Sequence, residues 1–204
     1  AFLKSPEWKR TTAQGWGVNR AETAEIFTAN QMYIRKFPDR AASLLGKLHC
    51  QHYGLPSFGK RLAAATREFV PFTGDPAGWF AQNGRFTDFS GKTIELPERT
   101  FATHTSGKYT AARVPLLDVI AEVLRQPDEV WLNNYDGKAF DCLNYIRFYR
   151  DKAINVVCRI ENGKTLAVRT WFEIAIRPTT RSGGKIAPEK DPRLKYRRGL
   201  LVKK

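Results

Sequence analysis

The stretch AINVVCRIENGKTLAVRTWFEI, residues 153–174, decides the fold class. Two runs rich in β-branched and aromatic residues flank Asn162-Gly163, a dipeptide that suits a two-residue hairpin turn because both positions tolerate positive φ. A hairpin here predicts two long antiparallel neighbours. Upstream, YIRFYR (145–150) alternates Ile146 and Phe148 with Arg147 and Tyr149, the pattern of a strand with one wet face. EVWLN (129–133) reads as another short strand. KYRRGLLVKK (195–204) reads as the last one, reached through a loop rich in Gly, Pro and charge over 177–193.

A helix precedes these strands. VPLLDVIAEVLRQ (114–126) has apolar residues at 116, 117, 120, 123 and 124, with Pro115 suited to a first turn and Pro127 to a stop. The order of elements predicts an α+β domain over residues 93–204, a helix packed on a four- to five-stranded antiparallel sheet. Residues 1–92 read as a helical and loop-rich region. Helices are expected over 21–36, 37–53 and 59–69, followed by a linker or ordered loop over 70–100 that is dense in Gly, Pro, Asp and Asn.

Charge narrows the function classes. The chain carries 34 Lys and Arg against 20 Asp and Glu, a net +14, which calls for a polyanionic partner, nucleic acid first. Residues 181–204 hold nine basic and two acidic side chains, so half of the excess (+7) lies there. No apolar run reaches the roughly 20 residues that span a bilayer, so no membrane insertion is expected. Cys50, Cys142 and Cys158 are odd in number and lack CxxC spacing, which points to buried thiols in a reducing compartment. The opening AFLKSPEWKR has neither an initiator Met nor the apolar core of a signal peptide, as expected of a processed product or a piece of a longer polypeptide.

The candidate chemistry gathers around TFATHTSGKYTAAR (100–113). His104 titrates near neutrality and suits proton transfer, or it serves as a helix-entry cap. Lys108 and Arg113 follow it as candidate phosphate cations, at the mouth of a helix. On the longest strand Arg169 and Thr170 are adjacent, and Arg169 shares a face with Trp171. Glu173 shares that face too and is a candidate salt-bridge partner for Arg169. Lys195, Tyr196, Arg197 and Arg198 open the last strand. Trp131 and Trp171 read as core residues rather than base-stacking platforms. One cleft holding these groups fits RNA cleavage without a metal: the 2′-OH loses a proton and attacks phosphorus, cations hold the charge, and an acid protonates the leaving oxygen. No metal or other cofactor is expected, since no paired carboxylates accompany His104, and His49 and His52 with Cys50 lack further ligands. No phosphate-binding glycine motif is present either.

The segments LPERTFATHTSGKYTAARVPLLDVIAEVLRQPDEVWLNNY, YIRFYRDKAINVVCRIENGKTLAVRTWFEI and KYRRGLLVKK, in that order over about residues 95–204, resemble a phage-associated branch of the barnase–EndoU–colicin–RelE-like nuclease superfamily. The resemblance implies a C-terminal domain of a phage virion or toxin polypeptide. It further implies a metal-independent endoribonuclease that acts on RNA, tRNA among the candidates, in the cytoplasm of a bacterial cell. It gives His104, Thr170, Tyr196 and Lys195 catalytic roles, and gives Thr105, Lys108, Arg113, Arg169, Arg197 and Arg198 to the substrate. It leaves a second acid/base residue unplaced, and a toxin of this kind implies an acidic immunity protein as partner. The alternatives are an inactive nucleic-acid-binding or structural phage module, and a deoxyribonuclease on the same fold.

Overall fold

The computed structural model describes residues 50, 53–133, 142–161, 165–174, 196–197 and 200–204. The helices expected over 21–36 and 37–53 and the Asn162-Gly163 turn lie outside these residues, apart from the helical Cys50 and the turn at Tyr53. Among the described residues five α-helices after Cys50 precede or interleave a single sheet: α1 (Phe58–Ala63), α2 (Pro76–Gln82), α3 (Glu98–Thr105), α4 (Thr110–Arg113) and α5 (Val119–Arg125). The strands are β1 (Arg85–Thr87), β2 (Thr93–Glu95), β3 (Glu129–Asn133), β4 (Cys142–Phe148), β5 (Ala153–Glu161), β6 (Thr165–Ile174) and β7 (Leu200–Lys203).

The sheet has seven strands in the order β1-β2-β6-β5-β4-β3-β7. The β5–β6 hairpin is its centre, pairing Glu161 with Thr165 at one end and Ala153 with Ile174 at the other. The expectation of four or five antiparallel strands is corrected in two respects. β1, ahead of the expected boundary near residue 93, forms an extra hairpin with β2, which starts at that boundary, and β2 joins β6 in parallel through Ile94–Leu166 and Glu95–Ala167. Turn chemistry explains the extra hairpin. The buried Asp88 carboxylate accepts from Ser90 N, Ser90 Oγ and Lys92 N at 2.8–2.9 Å, and Gly91 takes a φ of +83°.

Both faces of the sheet are covered. On one, α2, α3 and α5 bring Trp79, Phe101, Ile120 and Leu124 against Leu143, Tyr145, Val156 and Trp171. On the other, Phe58 and Leu62 of α1 meet Trp131, Ile146 and Phe148. β4 is therefore buried at every position, not wet on one face. Arg147, expected in water, is 5% exposed and pairs with Glu122 at 2.7 Å. Trp131 and Trp171 are both fully buried core residues, as read from the sequence. Each contributes on the order of 3 kcal/mol by leaving water.

Two helices are shorter than their apolar spacing predicts. The 114–126 segment starts as a 3-10 turn over Val114–Leu116, and the α-helix begins only at Val119. The 59–69 segment ends its helix at Ala63, and the chain beyond it follows the molecule's edge. There Arg150 N donates to Arg67 O at 2.8 Å and Phe72 N to Pro115 O at 2.9 Å.

The β5–β6 ladder carries one irregularity that matters for the site. Val157 pairs with Thr170 and Cys158 with Val168, so Arg169 is an extra residue on β6, a β-bulge. Val168 and Trp171, three positions apart, consequently lie in the same core layer.

Candidate active site

The sequence between α3 and α5 builds one wall of a cleft. Near the end of α3, Thr103, Thr105 and Ser106 donate their hydroxyls back to the carbonyls of Arg99, Phe101 and Ala102 at 2.8–2.9 Å. Such back-bonding competes with the backbone ladder and helps the helix stop. Gly107, at φ +56°, then redirects the chain through a 3-10 turn into α4. This places His104 at the end of α3 and Arg113 at the end of α4, both facing β6.

β2 accompanies β6 only at Leu166 and Ala167. Farther along, side chains meet the outer edge of β6. His104 Nε2 lies 2.9 Å from Arg169 O, and the Arg113 guanidinium donates to Trp171 O. Trp171 Nε1 returns a bond to Arg113 O at 3.0 Å. The imidazole also meets the rings of Trp171 and Tyr109 edge-on, with centroids 5.3 and 5.7 Å away. Its Nδ1 is buried and has no hydrogen-bond partner among the described residues. Burial, first of all, and the positive Arg113 and Arg169 push the imidazole below its ordinary value, against the opposing effect of the bond to Arg169 O.

In front of this wall is a cleft of about 570 Å³ that brings together Arg113, Thr170 and Tyr196, three of the residues read from the sequence. The Arg113 guanidinium lies 5.1 Å from the centre of the Phe172 ring, which Tyr196 meets at 5.0 Å. Two further charged groups line the cleft. Lys152 Nζ sits 4.4 Å above the Phe69 ring and 3.7 Å from Glu173 Oε2. Glu173 thus pairs with Lys152, not with Arg169 as the strand pattern suggested, because the bulge breaks the alternation between them. Lys152 was missed. The hairpin register carried its signal, since Ala153 opposes Ile174 and the residue before it falls beside the Glu173 end of β6.

The other candidates are placed differently. Lys108 is exposed, its ammonium 5.2 Å from the Tyr109 ring centre, and Arg169 is exposed on the bulge. The Thr105 hydroxyl is spent inside α3. Arg197 is corrected from a substrate contact to a structural ion: it is fully buried, and its Nε and Nη2 reach both Glu129 oxygens at 2.8 Å. Arg61 and Trp131 complete the carboxylate's shell at 3.2 and 3.0 Å. Lys195 and Arg198 lie outside the described residues. Among the described residues no three His, Cys, Asp or Glu side chains converge as metal ligands, and no helix is long and apolar enough to cross a membrane.

Compared with known families, residues 68–202 match the one described as phage-Barnase-EndoU-ColicinE5/D-RelE like nuclease2. The match spans both walls of the cleft. No curated protein and no solved structure matches the chain.

Proposed function

Because the chain belongs to the phage-Barnase-EndoU-ColicinE5/D-RelE like nuclease2 family, and so is a nuclease, we propose that it cleaves RNA in the cleft between α4 and β6 by attack of the 2′-hydroxyl, without a metal ion. The observation that carries this reading is the convergence of two cations, a carboxylate, a hydroxyl and a phenol on one open surface: Arg113, Lys152, Glu173, Thr170 and Tyr196.

Each group has a role in the reaction. Arg113 and Lys152 flank the scissile phosphate and hold the charge that develops on its oxygens. Thr170 donates a hydrogen bond to one of them. The Glu173 carboxylate takes the 2′-hydroxyl proton as the oxygen bonds to phosphorus. The bond from phosphorus to the 5′-oxygen breaks, and Tyr196 donates a proton to that leaving oxygen. The products are a 2′,3′-cyclic phosphate and a free 5′-hydroxyl. Requiring the 2′-hydroxyl separates RNA from DNA. Glu173 thereby fills the second acid/base position that the sequence left open. His104 takes no proton step here, since its Nε2 is engaged by a backbone carbonyl and its Nδ1 is buried.

The test is to incubate total tRNA and plasmid DNA with the chain, with and without excess EDTA, and with its Glu173→Gln and Lys152→Ala variants. RNA cut to cyclic-phosphate ends despite EDTA, and slowed about 100-fold or more by Glu173→Gln, is the expected result. Cleavage of DNA at the same rate, or loss of activity with EDTA, overturns the ribonuclease or the metal-free reading respectively. Binding without cleavage of either makes the chain an inactive binding module.

A further inference from the structure

An exposed strand edge presents carbonyls that must find donors. Past Ala167, β6 has no neighbouring strand on its outer side among the described residues, and its bulge at Arg169 falls just there. The carbonyls of Arg169 and Trp171 are met by the side chains of His104 and Arg113. One of these bonds grips the bulged residue itself, immediately before Thr170, which faces the cleft.

We infer that His104 is a positioning residue whose neutral, Nε2-protonated ring holds the Arg169 carbonyl, and with it the β6 bulge that delivers Thr170 to the cleft. A carbonyl only accepts, so the nitrogen 2.9 Å from it must carry the hydrogen. Nδ1 is then the bare nitrogen. Protonating it creates a buried N–H with no acceptor among the described residues, in a ring faced by Arg113 of α4 and Arg169 of β6. From the 3-10 turn, the ring meets Tyr109, over which the Lys108 ammonium sits. Among the described residues every charge facing the imidazole is positive, which opposes the cation. Trp171 adds an uncharged aromatic contact. The significance of Thr170 for chemistry rests on the cleavage reading above, whereas the clamp on the bulge stands on the fold alone.

Two measurements on the full chain separate the possibilities. Nitrogen-15 spectra of labelled histidines, with His104 assigned by its loss in His104→Gln, are expected to show the Nε2–H tautomer at neutral pH. An Nδ1–H tautomer or an imidazolium there overturns the inference, whether or not the chain cuts RNA. In the cleavage assay, His104→Gln keeps an N–H near the position of Nε2 and is expected to retain most activity, with the pH profile unmoved. His104→Ala loses about 10- to 100-fold in kcat with KM little changed, as misplaced groups do. Abolished cleavage in a folded His104→Gln variant, or a pH limb that disappears with it, would instead make the ring a proton-transfer group. Should the native chain leave RNA intact, the cleavage proposal fails, and the spectra still decide the clamp.

Discussion

At the scale of single residues, the half-buried His104 and the fully buried Glu129 make opposite demands on charge. His104 stays neutral in the fold because burial and two guanidinium groups hold it below its ordinary 6.5. The unfolded chain therefore binds a proton at this position at a pH where the folded chain does not, and stability falls as pH drops through and below about 6.5. Denaturant midpoints measured near pH 7.5 and about pH 5.5 should show that loss, and His104→Gln should lessen it. The Glu129 carboxylate is instead the counter-charge of the buried Arg197. Glu129→Gln leaves a guanidinium without its counter-charge among apolar neighbours, and a loss of about 3–5 kcal/mol is expected in urea melts. Residue type and local spacing single out Arg113, Thr170 and Tyr196, which the fold brings to one cleft. The sequence hid the fate of Arg197, because the partner that buries it lies 68 positions away and nothing local distinguishes a buried arginine from a free one.

At the scale of elements, legibility followed how much local chemistry each one carries. The strands of the β5–β6 hairpin are long, β-branched and bracketed by Asn-Gly, so their residues and pairing were readable. β1 and β2 have three residues each, and their Asp88–Gly91 turn looks like any loop until a sheet edge is there to receive it. The wet face assigned to β4 was mistaken for a different reason. Arg147 is a charged residue that burial tolerates because Glu122 of α5 and the Gln126 carbonyl accept its hydrogen bonds. Backbone conformation gives a test with two signs. Gly107 needs positive φ, so Gly107→Ala should cost about 1 kcal/mol although its surroundings have room for a methyl group. Gly59, inside α1 with equally open surroundings, should stabilise by about 0.5–1 kcal/mol when changed to Ala. Thermal melts of the two variants check both directions.

At the scale of the whole molecule, the net +14 sets how a polyanion is met before any chemistry occurs. RNA affinity should fall steeply with salt, by about 0.7 in the logarithmic slope for each single-strand phosphate that is neutralised. Lys152→Ala should reduce that slope by about one contact in a filter-binding series, whereas the surface Lys60→Ala should cost less. An acidic protein covering the cleft would be the natural inhibitor of such a surface, and its grip should weaken over the same range of salt.

The seat of β7 has a consequence for the order in which the molecule is made. β3 lies between β4 and β7, pairing Leu132 with Leu143 on one side and with Leu200 on the other. Its Glu129 waits for Arg197. A ribosome delivers residue 129 well before residues 197–203, so for that interval β3 is an open margin whose acid has the partly exposed Arg61 but not Arg197 as a counter-charge. Chain elongation thus withholds the finished sheet, and the cleft built on it, until residues 200–203 have emerged.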